Sequence, residues 1–188
     1  MRDALSSPAE AAGIVLRPAR EEDMDAVAVI YAHHVLTGRG SFETEPPSRE
    51  EMRRRRREVL SRGLPYLVAE IPRGPVVGYA YATLYRQRAA YRNTVENSVY
   101  VREDMARRGI GRRLLEALIA ECEAAGFRQM VAVVGDSANL ASIRLHEALG
   151  FRLVGTLRAV GRKHGLWLDT VFLQRPLGEG DRSAPADE

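Results

Sequence analysis

Apolar residues recur at helical spacing in four segments of the chain, while the opposite positions are polar. In the third segment, for example, Leu114 and Leu118 fall on one side of the predicted helix. Ser48, followed three residues later by Glu51, is a capping-box pattern at the start of the second. The pattern predicts α-helices over Glu22–Leu36, Arg49–Arg62, Gly109–Ala125 and Asn139–Leu149.

Seven shorter apolar or alternating segments predict β-strands over Ile14–Arg17, Leu67–Ile71, Val76–Leu84, Glu96–Val101, Met130–Val134, Arg152–Val160 and Leu166–Leu173. Turn residues join the second strand to the third, and the segment Gly161–Gly165 is predicted to join the last two. The order β-α-α-β-β-β-α-β-α-β-β predicts one α/β domain, a mixed sheet with helices on both faces. We assign this domain to residues 13–177, with flexible tails at residues 1–12 and 178–188.

Length and composition narrow the class of protein. With 188 residues, of which 45% are hydrophobic, the chain suits a single globular domain. Its single cysteine, Cys122, excludes an intramolecular disulfide and a cysteine-based metal site, and we expect no metal. No segment approaches the roughly 20 apolar residues of a membrane span, and residues 1–13 lack a signal-peptide core. We therefore expect a cytoplasmic protein without a membrane partner.

Five consecutive arginines, Arg53–Arg57, form the most basic run of the chain. Such a run can mark a nucleic-acid-binding surface. No aromatic residue that could stack on bases is interleaved with these arginines, however, and the formal net charge is only +3. We interpret the run as a solvated helix face and expect no nucleic-acid partner.

A glycine-containing basic loop lies between the fourth strand and the third helix, with the residues Arg107, Arg108, Gly109, Ile110, Gly111 and Arg112. Two glycines allow the backbone to approach a ligand closely, and the following helix offers unpaired N–H groups that bind phosphate. The loop lacks the Gly-Lys-Ser/Thr of a Walker motif and the third glycine of the dinucleotide fingerprint. Taken alone, it is equally consistent with a tight strand-to-helix turn.

The loop and four further segments together resemble the GNAT superfamily of acyl-CoA N-acyltransferases over roughly Ile14–Pro176. The resemblance is closest to the phosphinothricin and methionine sulfoximine N-acetyltransferases, and its four segments are Ser41–Pro46, Ala90–Val101, Ser142–Phe151 and Lys163–Asp169. In the family's loop pattern, Gln/Arg-x-x-Gly-x-Gly/Ala, this chain has Ala106 at the first position. The departure removes one side chain from the pattern but leaves the backbone cradle of the glycines. The resemblance implies a single-domain GNAT-like fold with a mixed, mostly antiparallel sheet.

The resemblance also implies acetyl-CoA as cosubstrate and a direct attack of an amine on its thioester. An amine must lose a proton before it attacks, and Glu96 occupies the family's base position. The family fold leaves backbone N–H groups of Val99, Tyr100 and Val101 free to polarise the thioester oxygen. Most relatives have a tyrosine where this chain has His146, which is either a general acid for the thiolate or a structural histidine. The remaining residues expected near the cosubstrate are Arg107–Arg112, Asn139 and Ser142.

An amino-acid substrate brings a carboxylate that requires a fixed cation, for which the arginine fork is well suited. Of the arginines in the loop Tyr85–Asn93, alignment with the family favours Arg88. The other expected substrate contacts are Phe42, Tyr91, Thr94 and His164. His164 could alternatively lie at a dimer edge or serve only in packing. The resembling family forms homodimers, so we expect this chain to form one. Phosphinothricin, methionine sulfoximine and methionine sulfone are the expected types of substrate, and the sequence does not distinguish among them.

Two alternative functions stay open at this stage. One is an acetyltransferase that acts on protein N-termini or lysines, although the arginine-rich loop favours a small anionic substrate. The other is a catalytically silent acyl-CoA-binding regulator, which would retain the phosphate loop but would not require Glu96.

Overall fold

The computed structural model describes residues 13–185. The α-helices of this part of the chain are α1 (Met24–Thr37), α2 (Arg49–Ser61), α3 (Ile110–Ala124) and α4 (Leu140–Ala148). Its strands are β1 (Val15–Pro18), β2 (Tyr66–Glu70), β3 (Val76–Leu84), β4 (Thr94–Val101), β5 (Gln129–Gly135), β6 (Arg152–Lys163) and β7 (Leu166–Pro176). The predicted order of elements is confirmed.

The strands form one seven-stranded sheet in the order β1-β2-β3-β4-β5-β7-β6. Only the β4–β5 pair is parallel, and every other neighbouring pair in the described residues is antiparallel. The predicted mixed, mostly antiparallel sheet is therefore correct. The parallel pair is joined through α3, as a crossover between parallel strands requires.

Helices cover both faces of the sheet, and alternation along β4 assigns its side chains to these faces. Tyr100 points to α1, where its ring lies 5.1 Å from that of Tyr31. Val99 and Val101 point to the opposite face, because both lie next to Gly111 of α3. Glu96 shares the face of Tyr100, whereas Asn97 shares the face of α3.

Helix α2 begins at the predicted cap, since the Ser48 hydroxyl accepts a hydrogen bond from the Glu51 N–H at 3.1 Å. Its arginines differ in part from the expected solvated face. Arg55 pairs with Glu43 at 2.6 Å, and Arg56 donates to the backbone carbonyl of Ala19. These arginines thus tie α2 to neighbouring segments of the same chain.

Most strand boundaries differ from the sequence prediction by one to three residues, and β7 extends to Pro176, three residues past its predicted end at Leu173. Strand β4 starts at Thr94, two residues before the predicted start at Glu96. Strand β6 continues to Lys163, so the turn after it is only two residues long rather than the predicted Gly161–Gly165. His164 and Gly165, with φ of 50° and 77°, form this turn because a tight hairpin favours two left-handed residues.

Of the two predicted tails, only part of the C-terminal one lies within the described residues. Residues 1–12 lie outside the described residues, as do residues 186–188. Within residues 178–185, the Arg128 guanidinium donates to the carbonyls of Ser183 and Ala184 at 3.0 and 2.8 Å. Among the helices described, none is long and apolar enough to cross a membrane.

Candidate active site

The centre of the sheet opens where β4 and β5 separate. Their parallel register runs from Thr94, opposite Gln129, to Asn97, opposite Ala132, and stops there. Strand β4 stays paired with β3 up to Val101, while β5 stays paired with β7 up to Gly135. The edge of β4 beyond Asn97 therefore faces a gap rather than a strand, and its backbone is available to an extended ligand.

Glu96 lies one residue before this opening, on the face of the sheet that carries α1. Its Cα neighbours across the strands are Thr83 and Val131. Burial raises the pKa of the Glu96 carboxyl, and the positive charge of Arg86 acts in the opposite direction. A half-buried carboxyl with a raised pKa is suited to accept a proton near neutral pH.

A groove of about 450 Å³ lies on the same face; its lining includes Val131, the cross-strand neighbour of Glu96, but not Glu96 itself. Its lining includes Tyr85, Tyr91, Thr94, Val131, Leu157 and Phe172. Two of these residues, Tyr91 and Thr94, are predicted substrate contacts. The volume suits a small molecule, and the aromatic and aliphatic walls are typical of such sites.

His146 approaches β4 from the opposite face of the sheet, where it contacts Asn97, the residue after Glu96. It is 5% exposed, and its ring nitrogens contact the Ser142 carbonyl at 2.7 Å and the Asn97 side-chain oxygen at 3.0 Å. Burial lowers the pKa of the imidazole, and the hydrogen bond to Ser142 opposes this effect. His146 therefore connects α4 to the point where the sheet opens.

The predicted phosphate loop lies at the start of α3. Arg107 and Gly109 both have left-handed backbones, with φ of 60° and 76°. Gly109 is the N-cap and offers no side chain, and the first helical hydrogen bond is made by the N–H of Arg113 to its carbonyl. The N–H groups of Ile110, Gly111 and Arg112 precede that bond and point out of the helix end, as an anion-binding site requires.

Asn139 is the N-cap of α4, where its side-chain oxygen accepts a hydrogen bond from the Ser142 N–H at 3.3 Å. Asn139 therefore caps the start of α4. The Ser142 carbonyl holds His146, so the start of α4, the histidine and β4 form one connected unit.

The loop with Phe42 is held by three different elements. Tyr31 of α1 and Arg55 of α2 bind Glu43, and Lys163 of β6 donates to the Ser41 carbonyl at 2.7 Å. Phe42 lies against Gly135 and Gly161, where a Cβ atom would overlap its ring. The loop is therefore a fixed wall at the carboxyl end of β5.

The structure places two other predicted substrate contacts on the surface. Arg88 is exposed, and its carbonyl accepts a hydrogen bond from the N–H of the groove residue Tyr91 at 2.9 Å. His164 is exposed at the tip of the β6–β7 turn and does not line the groove. Lys163, which precedes it, is the buried residue of this segment.

Two buried polar residues near the site escaped sequence reasoning. Asn97 is 7% exposed and Lys163 is 4% exposed. Asn97 is a polar residue between Val95 and Val99 on a core-facing stripe, which was the available signal. For Lys163 the sequence carries no comparable signal, because its partner Ser41 is 122 residues away.

Residues 13–185 contain no cluster of three or more His, Cys, Asp or Glu side chains that could hold a metal ion. Cys122 is buried in α3, and burial raises the pKa of its thiol to about 12, so it is an inert core residue.

The open pair of parallel strands, the outward-facing N–H groups at the start of α3 and the half-buried glutamate fit an acyl-CoA-dependent transferase. The chain matches the acetyltransferase (GNAT) domain family over residues 16–172, and it belongs to this family. The resemblance inferred from sequence motifs is thereby confirmed, and the protein is an acetyltransferase.

Named relatives place the chain more finely within the family. It is 54% identical to a phosphinothricin N-acetyltransferase of Alcaligenes faecalis over 170 residues, which are 90% of this chain and 86% of the relative. It is 47% identical to an L-methionine sulfoximine/L-methionine sulfone acetyltransferase of Pseudomonas aeruginosa over 123 residues, 65% and 70% of the two chains. The crystal structure of a Sinorhizobium meliloti phosphinothricin acetyltransferase in complex with AcCoA superposes with a TM-score of 0.90 at 47% identity, covering 93% of this chain and 94% of the other.

Proposed function

We propose that this enzyme transfers the acetyl group of acetyl-CoA to the amine of a small amino-acid-like substrate of the phosphinothricin, methionine sulfoximine or methionine sulfone type. The observation that carries the proposal is the position of Glu96. It lies between a groove of small-molecule size and the opening of the β4–β5 pair, on the strand that leads into the phosphate loop.

The residues around the opening fit acetyl-CoA. The N–H groups of residues 110–112 would bind the pyrophosphate, with Arg107, Arg108 and Arg112 adding positive charge. The backbone of Val99–Val101 would pair with the pantetheine amides as an added strand and polarise the thioester oxygen. Asn139 and Ser142 would border the pantetheine from the start of α4.

Replacing Gly109 with valine is expected to abolish the stabilisation of the enzyme by acetyl-CoA. A β-branched residue does not adopt the φ of 76° found here without strain, so the N–H groups that follow it lose their arrangement. At 100 times its Kd, the ligand stabilises the wild type by about 2.7 kcal/mol. Thermal unfolding with and without acetyl-CoA measures this difference.

Gly126→Val is the matched control, because Gly126 has a φ of 85° just beyond the other end of α3, with open space around its Cβ position. It should lower the melting temperature through backbone strain yet keep the acetyl-CoA shift. An unchanged shift in folded Gly109→Val would contradict the assignment of the phosphate loop.

Glu96 would act as the base that takes a proton from the amine, directly or through water. The neutral amine then attacks the thioester carbon, the carbon–sulfur bond breaks with its electron pair on sulfur, and the nitrogen of the new amide gives up its second proton to solvent. CoA leaves as the thiolate, which is a tolerable leaving group because thiols have a pKa of about 8.5. His146 is the candidate acid for this thiolate. Its location on the opposite face of β4 from Glu96 would separate the acid from the base across the opening.

The groove would hold the substrate. Tyr91 and Thr94 line it, and Arg88, on the short segment before Tyr91, would bind the carboxylate. Phe42 would wall the alkyl group from the fixed loop at the carboxyl end of β5, where its ring lies against Gly135 and Gly161. His164 would reach the substrate only from the exposed tip of the β6–β7 turn.

An amine panel with acetyl-CoA tests the function through release of the CoA thiol. It should contain phosphinothricin, methionine sulfoximine, methionine sulfone, other amino acids and a peptide with a free N-terminus. We expect turnover of amino-acid substrates well above that of the peptide. A preference for the peptide would indicate a protein acetyltransferase, and binding of acetyl-CoA without turnover of any amine would indicate a regulator.

We also propose that the enzyme is a homodimer. The hairpin of β6 and β7 exposes large apolar side chains along its length, among them Leu153, Val154, Leu157, Val160 and Trp167. An apolar surface of this kind favours association with a second protein surface. Light scattering is expected to give twice the 20.9 kDa of the chain at micromolar concentration.

Trp167→Glu should shift the mass toward the monomer, because it introduces a charge at a side chain that is 67% exposed on the hairpin. Val29→Glu, at an apolar residue of α1 that is 60% exposed, should leave the mass unchanged. A monomeric wild type across this concentration range would refute the dimer.

The proposed location is the cytoplasm. The single cysteine, Cys122, is buried and unpaired, as is usual for proteins of reducing compartments. Cell fractionation followed by the acetylation assay tests the location, and activity confined to a membrane or secreted fraction would contradict it.

A further inference from the structure

Both ring nitrogens of His146 face hydrogen-bond acceptors. Nδ1 is 2.7 Å from the Ser142 backbone carbonyl, which can only accept. Nε2 is 3.0 Å from the side-chain oxygen of Asn97. A neutral imidazole has one N–H and therefore satisfies only one of these contacts, whereas the imidazolium, with two N–H groups, satisfies both.

The orientation of the Asn97 amide is fixed by a third contact. Its nitrogen donates to the backbone carbonyl of Val131 on β5 at 3.1 Å. Rotating the amide by half a turn would offer a donor to His146 but would set two oxygens against each other at Val131. A neutral His146 thus leaves one unfavourable contact in either orientation of the amide. A buried polar contact of this kind is costly, and this cost opposes the burial that lowers the pKa of the imidazole.

The charged groups near His146 do not explain why Nε2 would hold a proton. Arg144 and Glu147 of the same helix are exposed, and Glu96 points to the other face of the sheet. The ring of Phe151, 5.0 Å away and perpendicular to the imidazole, is uncharged. Within the described residues, Asn97 is the group that faces Nε2.

The contact lies where the reaction is proposed to occur. Asn97 is the last residue of β4 in register with β5, and the opening starts with the next residue. Its side chain reaches β5 through Val131 and α4 through His146. It therefore holds the imidazole at the edge of the opening.

We propose that Asn97 is a positioning residue that keeps a proton on Nε2 of His146, and that this proton is delivered to the sulfur of the departing CoA. The inference rests on the proposed function for its last step. As the carbon–sulfur bond breaks with its electron pair on sulfur, the Nε2 proton moves to sulfur and gives the free thiol. His146 is left neutral with its proton on Nδ1, facing Ser142, and regains the Nε2 proton from solvent.

The test compares the titration of His146 in full-length wild type and in Asn97→Leu by NMR of the imidazole groups, with His146→Gln to assign the signal. Leucine keeps the approximate volume and removes the acceptor. His146 is expected to lose its Nε2 proton at lower pH in Asn97→Leu than in the wild type. Asn97→Asp keeps an acceptor facing Nε2, and its His146 should stay protonated to at least the wild-type pH.

Activity supplies a second readout. In Asn97→Leu, kcat should fall by about tenfold, below the usual contribution of a positioned acid because a thiolate leaves tolerably without one. The KM for acetyl-CoA should change little, and Asn97→Asp should recover most of kcat. A merely structural Asn97 would instead lower the melting temperature without moving the His146 titration.

Identical His146 titrations in the wild type and Asn97→Leu would overturn the inference, as would a wild-type imidazole that carries its single proton on Nδ1 at pH 6. If Asn97→Leu does not fold, Asn97→Asp provides the test. The inference is overturned if His146 in that variant loses its proton at a lower pH than in the wild type. These outcomes are independent of the proposed function. Failure of the wild type to acetylate any amine would refute that function, while the titrations would still decide how Asn97 affects His146.

Discussion

Replacing Glu96 with glutamine is expected to lower kcat/KM near pH 7 by about 10²- to 10⁴-fold, the usual contribution of a positioned base. Glutamine keeps the size of the side chain and much of its hydrogen bonding, but it does not accept a proton at neutral pH. Binding of acetyl-CoA should barely change, because the start of α3 lies at the other end of β4. Release of the CoA thiol and the thermal shift measure the two effects separately.

The dependence on pH distinguishes a base from a residue that only shapes the groove. A catalytic base acts in its ionised form, and burial raises the pKa of Glu96; if Glu96 is the base, wild-type activity should fall as the pH drops through that raised pKa. The ordinary pKa of glutamate is about 4.3, and this loss should therefore begin at a higher pH than for an exposed carboxyl. In Glu96→Gln the defect should shrink as the pH rises, because more of the amine is neutral without assistance.

Two further variants make this result interpretable. Glu121→Gln neutralises an exposed carboxylate on α3, remote from the groove, and should behave as the wild type. Glu96→Asp keeps the carboxylate but shortens the side chain by one methylene group. The activity of this variant should therefore lie between those of the wild type and Glu96→Gln. Near-full activity of Glu96→Gln at pH 7, or a defect of the same size at every pH, would exclude Glu96 as the base.

The fold could be predicted from the sequence because its helices and strands each have a local sequence pattern. Periodicity located all four helices, since each has an apolar stripe or a cap, such as Ser48 before α2 and Gly150 after α4. The continuous apolar run of β5 is typical of a strand with neighbours on both sides, which is its position in the sheet, between β4 and β7. The end of β6 was missed because a bulge near Gly161 allows the strand to continue through a glycine that resembles a turn signal.

Site residues could be predicted from the sequence only where they belong to a recognisable motif. The glycines of the predicted phosphate loop stand out in the sequence, and the family resemblance points to Glu96. The structure places Glu96 close to the opening of the sheet and Gly111 beside Val99 and Val101. Asn97 and Lys163 act through contacts with residues 49 and 122 positions away, His146 and Ser41. Such partners are brought together by the packing of the sheet and its helices, which no local pattern specifies.

The geometry also shows which sequence assignments depend on a bound substrate. His164 stands at an exposed turn, while Arg88 stands on the exposed segment beside the groove. Exposed arginines retain the freedom to fold over a ligand, so an outward position does not conflict with carboxylate binding. Within residues 13–185 no hydrogen bond or ion pair holds the Arg88 guanidinium, which leaves its donors available.

Arg88→Ala is accordingly expected to raise the KM for an amino-acid substrate by about 10- to 150-fold, which corresponds to the ~1.5–3 kcal/mol of a charge-assisted hydrogen bond. The carboxyl methyl ester of the same amino acid should lose much less, because it has no negative charge for the guanidinium to bind. The wild type should therefore prefer the acid, and the variant should lose that preference. Paired kinetics with acid and ester, at saturating acetyl-CoA, measure the change.

Arg86→Ala provides the control within the same loop. Arg86 stacks on the Tyr85 ring at 4.1 Å, and its charge lowers the pKa of Glu96. Its removal should move the acid limb of the pH profile to higher pH, because Glu96 then loses a nearby positive charge, and it should leave the preference for acid over ester intact. Equal losses for acid and ester in Arg88→Ala would show that another residue binds the carboxylate, and an altered acid preference in Arg86→Ala would identify Arg86 as that residue.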